Sequence, residues 1–133
     1  MNNIIFITGA SSDVGIALIK SIKEKCVIVA HYNTNNSRLL ELKKNSKNMI
    51  FPIKADFSSE KSVVGMLDKI ETKIGIPNKI VHLASQKTKN IRFKDDNWRD
   101  LQSQLNISLG SITIILNRFL PKMAELKYGK IVC

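Results

Sequence analysis

Five short apolar runs, rich in β-branched residues, recur along the chain: Asn3 to Thr8, Val27 to Tyr32, Met49 to Lys54, Lys79 to His82 and Lys130 to Cys133. Each is nearly continuous in apolar side chains, which is how a strand reads when both faces of its sheet are covered. Between them lie stretches with helical spacing, at Val14 to Lys25, Ser37 to Lys44, Ser59 to Lys73 and Trp98 to Leu126. The order β-α-β-α-β-α-β-α-β with right-handed crossovers predicts an α/β fold, a doubly wound parallel sheet in a single domain over 1–133. Asn36 and Ser58 stand where helix caps belong, and Gly75-Ile76-Pro77 and Gly129 mark helix exits. In the last helix Leu101, Leu105, Leu109, Ile112, Leu116, Leu120 and Met123 fall three and four apart, predicting one long, well-buried stripe. Pro121 predicts a kink or break near Leu120. The irregular stretch from Ser85 to Asn97 reads as a functional loop leading off a strand end.

Composition narrows the class. With 133 residues and 44% hydrophobic content the chain has room for one core, and it shows no low-complexity tract or internal repeat. No apolar run approaches the ~20 residues of a membrane-spanning helix, and no basic leader with a cleavage site precedes the first strand. A cytoplasmic protein without a membrane partner is expected. Cys26 and Cys133, each in an apolar stretch, are expected to be reduced and buried, and to form neither a disulfide framework nor a metal site. The 21 Lys and Arg against 11 Asp and Glu give a formal charge of +10. Many of these lysines, among them Lys20, Lys23, Lys25, Lys43, Lys44, Lys47, Lys69 and Lys73, sit near helix C-termini, where ammonium groups complement the macrodipole. Zinc-finger spacing, aromatic stacking platforms and basic heptads are all missing, so nucleic acid is not an expected partner.

The first strand runs directly into Thr8-Gly9-Ala10-Ser11-Ser12-Asp13-Val14-Gly15-Ile16-Ala17, which becomes a helix. Gly9 permits a tight turn, Gly15 lets the helix start pack closely, and free N–H groups with the helix dipole make an anion site suited to a pyrophosphate. A β-to-α turn without a ligand is the competing reading. The segment resembles the opening motif of the short-chain dehydrogenase/reductase family, Thr-Gly-x-x-x-Gly-x-Gly, with Thr8, Gly9, Asp13 and Gly15 at its fixed positions. That resemblance implies a Rossmann-type NAD(P)-binding domain, incomplete after the fifth strand, with cofactor contacts from Thr8, Gly9, Ser11, Ser12, Asp13, Val14 and Gly15. Asp13 replaces the middle glycine and sets a carboxylate near the cofactor phosphates, where like charges repel.

The resemblance extends through the chain. Asp56, followed by Phe57, matches the family's acidic residue after the third strand that meets the adenine; the alternative for Asp56 is a helix cap. Ile80-Val81-His82-Leu83-Ala84-Ser85 stands where the family has Asn-Asn-Ala-Gly, which implies cofactor contacts from Ala84 and Ser85. Leu120-Pro121-Lys122-Met123 and Gly129-Lys130-Ile131-Val132 are similar to the family's passage from helix to fifth strand. For the family's structural helix asparagine, spacing from Trp98 favours Ser108, with Asn106 the alternative. At the end of the second strand Tyr32, Asn33 and Thr34, with Arg38 nearby, take the place of the acid that would bind ribose hydroxyls. NADP is therefore the expected cofactor, ahead of NAD. His31 and His82 are expected to be packing or hydrogen-bonding residues and not bases.

In this family catalysis belongs to a Ser after the fifth strand and to a Tyr-x-x-x-Lys pair on the next helix. Neither Tyr32 nor Tyr128 is followed by Lys four residues on. The expectation is an NAD(P)-dependent oxidoreductase whose cofactor-binding half lies here, acting when complete on a small-molecule carbonyl or alcohol, with these 133 residues inactive alone. A non-catalytic nucleotide-binding module, or truncated remnant, is the alternative. A flavodoxin-like signalling domain is a third, with only Asp13 and Asp56 placed for metal or phosphoryl chemistry. The outer edge of the fifth strand invites pairing with a second copy, which leaves a homo-oligomer open.

Overall fold

The computed structural model describes residues 2–87 and 90–133. Five parallel strands, β1 (Ile4–Thr8), β2 (Val27–Tyr32), β3 (Met49–Lys54), β4 (Lys79–His82) and β5 (Lys130–Val132), form one sheet in the order β3-β2-β1-β4-β5. This is the Rossmann order, not the 2-1-3-4-5 order of a flavodoxin-like domain, so the signalling alternative falls. The chain winds outward from β1 to β3, then returns across the sheet to β4. The carboxyl ends of β1 and β4 therefore flank a topological switch point, where open α/β sheets bind ligands.

All five β1 residues are buried because α helices cover both faces. Ile5 and Ile7 point into a core with Ile16 and Ile19 of α1 (Asp13–Ser21) and Leu39 of α2 (Ser37–Asn45). Ile4 and Phe6 point the other way, toward α3 (Glu60–Lys73) and α5 (Ser111–Glu125), where the Phe6 and Phe119 rings meet edge to face at 6.4 Å. The ion pairs Arg118–Asp68 (2.8 Å) and Lys122–Glu71 (2.7 Å) stitch α5 to α3 along the rim.

Several local expectations are corrected. Ser59, not Ser58, caps α3, its Oγ accepting from the Ser62 N–H, because the Ser58 hydroxyl is already donated to Asp56. Asn36 precedes α2 without a side-chain cap; Asn35 Oδ1 accepts from the Ser37 N–H at 3.0 Å instead. Helix α1 ends at Ser21, since Ile22 adopts extended backbone and returns the chain to the sheet. Gly75 does form the exit of α3, with φ +129°, but at the end of α5 the left-handed residue is Lys127, not Gly129.

The last helical stretch is three segments: α4 (Trp98–Leu105), a π-turn over Asn106–Gly110, and α5. The wide π-turn shifts the helical register, so a stripe drawn at constant spacing does not stay on one face. The face that is buried carries Ile112, Ile115, Phe119 and Met123, while Leu101, Leu105, Leu109 and Leu120 are exposed, Leu109 to 60%. Pro121 lies inside α5 and does not end it; Asn117, whose carbonyl loses its donor to the proline, is an exposed residue. Strand β5 is exposed throughout and pairs only with β4 among the described residues, which is why Cys133 is exposed and only Cys26 is buried. Among the described residues no helix is long and apolar enough to cross a membrane, and no group of three His, Cys, Asp or Glu could hold a metal.

Candidate functional site

The turn between β1 and α1 is compressed from two sides. Gly9 has φ +63°, and a Cβ there would lie 2.9 Å from backbone atoms of Leu83 and Ala84, just after β4. A Cβ on Gly15 would come within 2.5 Å of the Ala10 carbonyl oxygen. Both glycines are thus set by close backbone approach, at the two positions where the sequence predicts it. Ser12 braces the turn: its hydroxyl donates to the Gly9 carbonyl (2.8 Å) and accepts from the Gly15 N–H (3.1 Å). Among the described residues the N–H groups of Ser11, Asp13 and Val14 have no protein acceptor, and those of Asp13 and Val14 open the positive end of α1. Backbone donors, helix dipole and absent side chains together make a cradle for an anionic group.

Two histidines fix this cradle to the sheet. His31 at the end of β2 is 3% exposed; its Nδ1 accepts from the Gly9 N–H (3.0 Å), so Nε2 carries the proton and donates to the Ala55 carbonyl (2.9 Å). Its ring stacks on Phe57 at 3.8 Å, with Phe57 itself buried. Burial pushes the His31 pKa down to about 4, against the opposing pull of the Ala55 carbonyl. His82 repeats the device on the other side. The Thr8 hydroxyl accepts from the Leu83 and Ala84 N–H groups at 3.0 and 3.1 Å and donates to His82 Nδ1 at 2.7 Å. His82 Nε2–H is then left to donate to the Ser108 carbonyl (2.8 Å) in the π-turn. Burial lowers its pKa as well. Sequence reasoning gave these histidines a packing or hydrogen-bonding role but did not locate their partners, because nothing local to either residue shows which backbone groups the fold brings to it.

The remaining expected positions lie toward the same, carboxyl, end of the strands. Tyr32 ends β2 half-buried, its hydroxyl accepting from the Asn36 amide at 3.3 Å, and exposed Asn33 and Thr34 follow it. Asp56 is exposed after β3 and its Oδ1 accepts from the Ser58 N–H and hydroxyl, which lower its pKa. Ala84 packs on Gly9, and exposed Ser85 follows. Asn106 accepts from the Gln102 amide at 3.0 Å and lines a cleft of about 540 Å³ with Phe57, Ser58 and Leu109, whereas Ser108 faces β4 through its carbonyl. The Asp13 carboxylate, 94% exposed, turns to Arg38 Nη1 at 2.7 Å. A larger cavity of about 680 Å³ lies elsewhere, below the C-terminal ends of α1 and α2, lined by Lys20, Lys23, Lys25 and Lys47.

Comparison with known proteins agrees with this geometry. A family model described as short chain dehydrogenase matches residues 3–133. An NADPH-dependent pterin aldehyde reductase of Arabidopsis thaliana is 28% identical over 131 residues, which cover 96% of this chain and 54% of that protein. A solved 3-oxoacyl (acyl-carrier-protein) reductase from Agrobacterium tumefaciens, with NADP bound, superposes with a TM-score of 0.84 at 23% identity, over 97% of this chain and 50% of that one. An NADH-dependent reductase complexed with NAD gives a TM-score of 0.80 at 12% identity, over 98% and 57%. The chain spans about half the length of the curated relatives it matches.

Proposed function

The chain belongs to the short chain dehydrogenase family, and from that premise we propose that it is the cofactor-binding half of an NAD(P)-dependent oxidoreductase, taking NADP ahead of NAD. The observation that carries this reading is the pair of glycines whose absent side chains leave a donor-lined cradle at the switch point. The residues present fit the dinucleotide. The backbone N–H groups of Ser11, Asp13 and Val14 would hold the pyrophosphate over Gly9 and Gly15, with Ser12 bracing the turn and Thr8 fixing the strand end beneath it. Tyr32, Asn33 and Thr34, with Arg38, would meet the adenosine ribose, and Asp56 and Phe57 the adenine side. Ala84 and Ser85 would flank the nicotinamide end. When bound, the nicotinamide supplies or takes up the hydride exchanged with a small carbonyl or alcohol.

The protein's own part in these 133 residues is binding and orientation. His31 and His82, held neutral by burial, keep the carboxyl ends of β1, β2 and β4 in register without adding charge beside an anionic ligand. No Tyr-x-x-x-Lys pair is among these residues to donate the proton of carbonyl reduction. The purified chain is therefore proposed to bind without turnover. Fluorescence titration with NADPH should give saturable binding that Gly15→Ala removes, while an NADPH oxidation assay over a panel of carbonyls stays flat. Lack of saturable binding would overturn the proposal. Robust turnover would show that other groups replace the missing pair. The intact mass of the protein from its source cells, compared with 15.0 kDa, separates a half of a larger enzyme from a binding module of this length.

A further inference from the structure

We infer that Asp13 weakens the preference for NADP over NAD, by occupying on Arg38 the place that a ribose 2′-phosphate would take. The inference rests on the dinucleotide-binding reading and deepens it.

Arg38 lies in the first turn of α2, beyond the β2 end, and neither Tyr32, which ends that strand, nor Asn33 and Thr34, which follow it, carries a carboxylate. In folds of this kind an acid near that point favours the free ribose hydroxyls of NAD and an arginine accommodates the phosphate of NADP. Here the acid comes from the neighbouring helix. Asp13 is the first residue of α1, and its carboxylate reaches across to Arg38 Nη1 at 2.7 Å. The Asp13 side chain is 94% exposed and that of Arg38 50% exposed, so no burial locks the pair.

An exposed pair of this kind is worth at most about a fivefold bias, which a ligand phosphate can overcome but must compete with. The competition has a second part. While the pair holds, Arg38 offsets the Asp13 charge beside the pyrophosphate cradle. A 2′-phosphate that takes Arg38 releases that carboxylate next to the cofactor's own negative charge. NAD, lacking the phosphate, binds with the pair intact. Asp13 therefore narrows the preference for NADP that Arg38 confers, and it does so at the position where the family motif has glycine.

The test is a cofactor-binding cycle on the purified chain, following NADPH and NADH fluorescence at low salt for the unmodified protein, Asp13→Asn, Arg38→Ala and the double variant. Thermal melting of each confirms folding. Asp13→Asn is expected to tighten NADPH about fivefold and NADH by less than about twofold. In the Arg38→Ala background the same change should leave the NADPH to NADH ratio unaltered. Equal gains for both cofactors, or a gain for NADPH that survives loss of Arg38, would overturn the inference while leaving dinucleotide binding standing. Absence of binding by both cofactors in all four proteins would overturn the binding reading and this inference with it.

Discussion

The carboxyl end of β1 and the exposed flanks that carry α4 and, separately, the edge strand β5 are built on opposite terms. At the first, backbone atoms approach so closely that two positions exclude a Cβ, and the groups that tie the turn to the sheet each have a named partner: Gly9 N–H to His31, Thr8 hydroxyl to His82, His82 to Ser108. At the second, Phe93 is 95% exposed, Trp98 79%, Leu109 60% and Val132 59%, and β5 has no neighbour beyond β4 among the described residues. The contrast shows where this chain specifies its own structure. The site is over-determined by sterics and hydrogen bonds, whereas the flank presents apolar side chains that the described residues do not cover.

The largest effect should come from placing side chains inside the compressed turn. Gly9→Val combines a left-handed backbone with a Cβ 2.9 Å from the Leu83 and Ala84 backbone, where no flexible side chain can yield. It is expected to lower the melting midpoint severely or to yield no folded protein. A variant that melts normally would show that the turn is looser than its geometry. Next in size is the buried face of α5. Phe119 is fully buried against Phe6, so Phe119→Ala should cost about 3–5 kcal/mol in denaturant unfolding.

The same comparison shows what could be read without coordinates. Strand limits from Val27 to Tyr32, Met49 to Lys54 and Lys79 to His82 were legible because buried parallel strands are continuous in apolar residues. The glycines were legible because few residue types tolerate that turn. The buried stripe of the last helix was legible at Ile112, Met123 and the partly buried Leu116 but not elsewhere, since a π-turn at Asn106–Gly110 leaves no composition signal and the buried face runs through Ile115 and Phe119. The histidine joints were half legible. Their place at strand ends was visible, but His31 meets Gly9 across 22 positions and Thr8 meets His82 across 74, and periodicity carries no such distance. The Asp13–Arg38 pair was hidden for the same reason: the motif shows a charge in place of a glycine, but not where it turns.

His31 gives the over-determined end a pH signature of intermediate size. Its pKa falls from 6.5 to about 4 on folding, so between those values the unfolded chain binds a proton that the folded chain does not. Stability is then complete above about pH 6.5 and is lost as pH falls toward 4, by about 3 kcal/mol in all. Urea unfolding at a series of pH values should show this slope, and His31→Phe, which keeps the stack on Phe57, should flatten it while lowering stability near neutral pH. That second loss follows from leaving the Gly9 N–H and the Ala55 carbonyl without their partner, at about 1–3 kcal/mol each. An unchanged slope in the variant would assign the acid sensitivity elsewhere.

The smallest effect belongs to the exposed flank, and it separates the two stripes of the last helix directly. Leu109 and Phe119 are both large apolar residues of one helical run, but Leu109 is 60% exposed and Phe119 fully buried. Leu109→Ser removes no packed contact that the described core requires, so unfolding of the monomer should change by no more than about 0.5 kcal/mol, with better solubility as the visible gain. A loss comparable to that of Phe119→Ala would mean that Leu109 is covered in solution, and the covering surface would then have to come from outside the residues described. Measured side by side at several protein concentrations, the pair of variants reads out both answers: a concentration-independent difference assigns the burial to the chain itself, and a difference that grows with concentration assigns it to association through the flank.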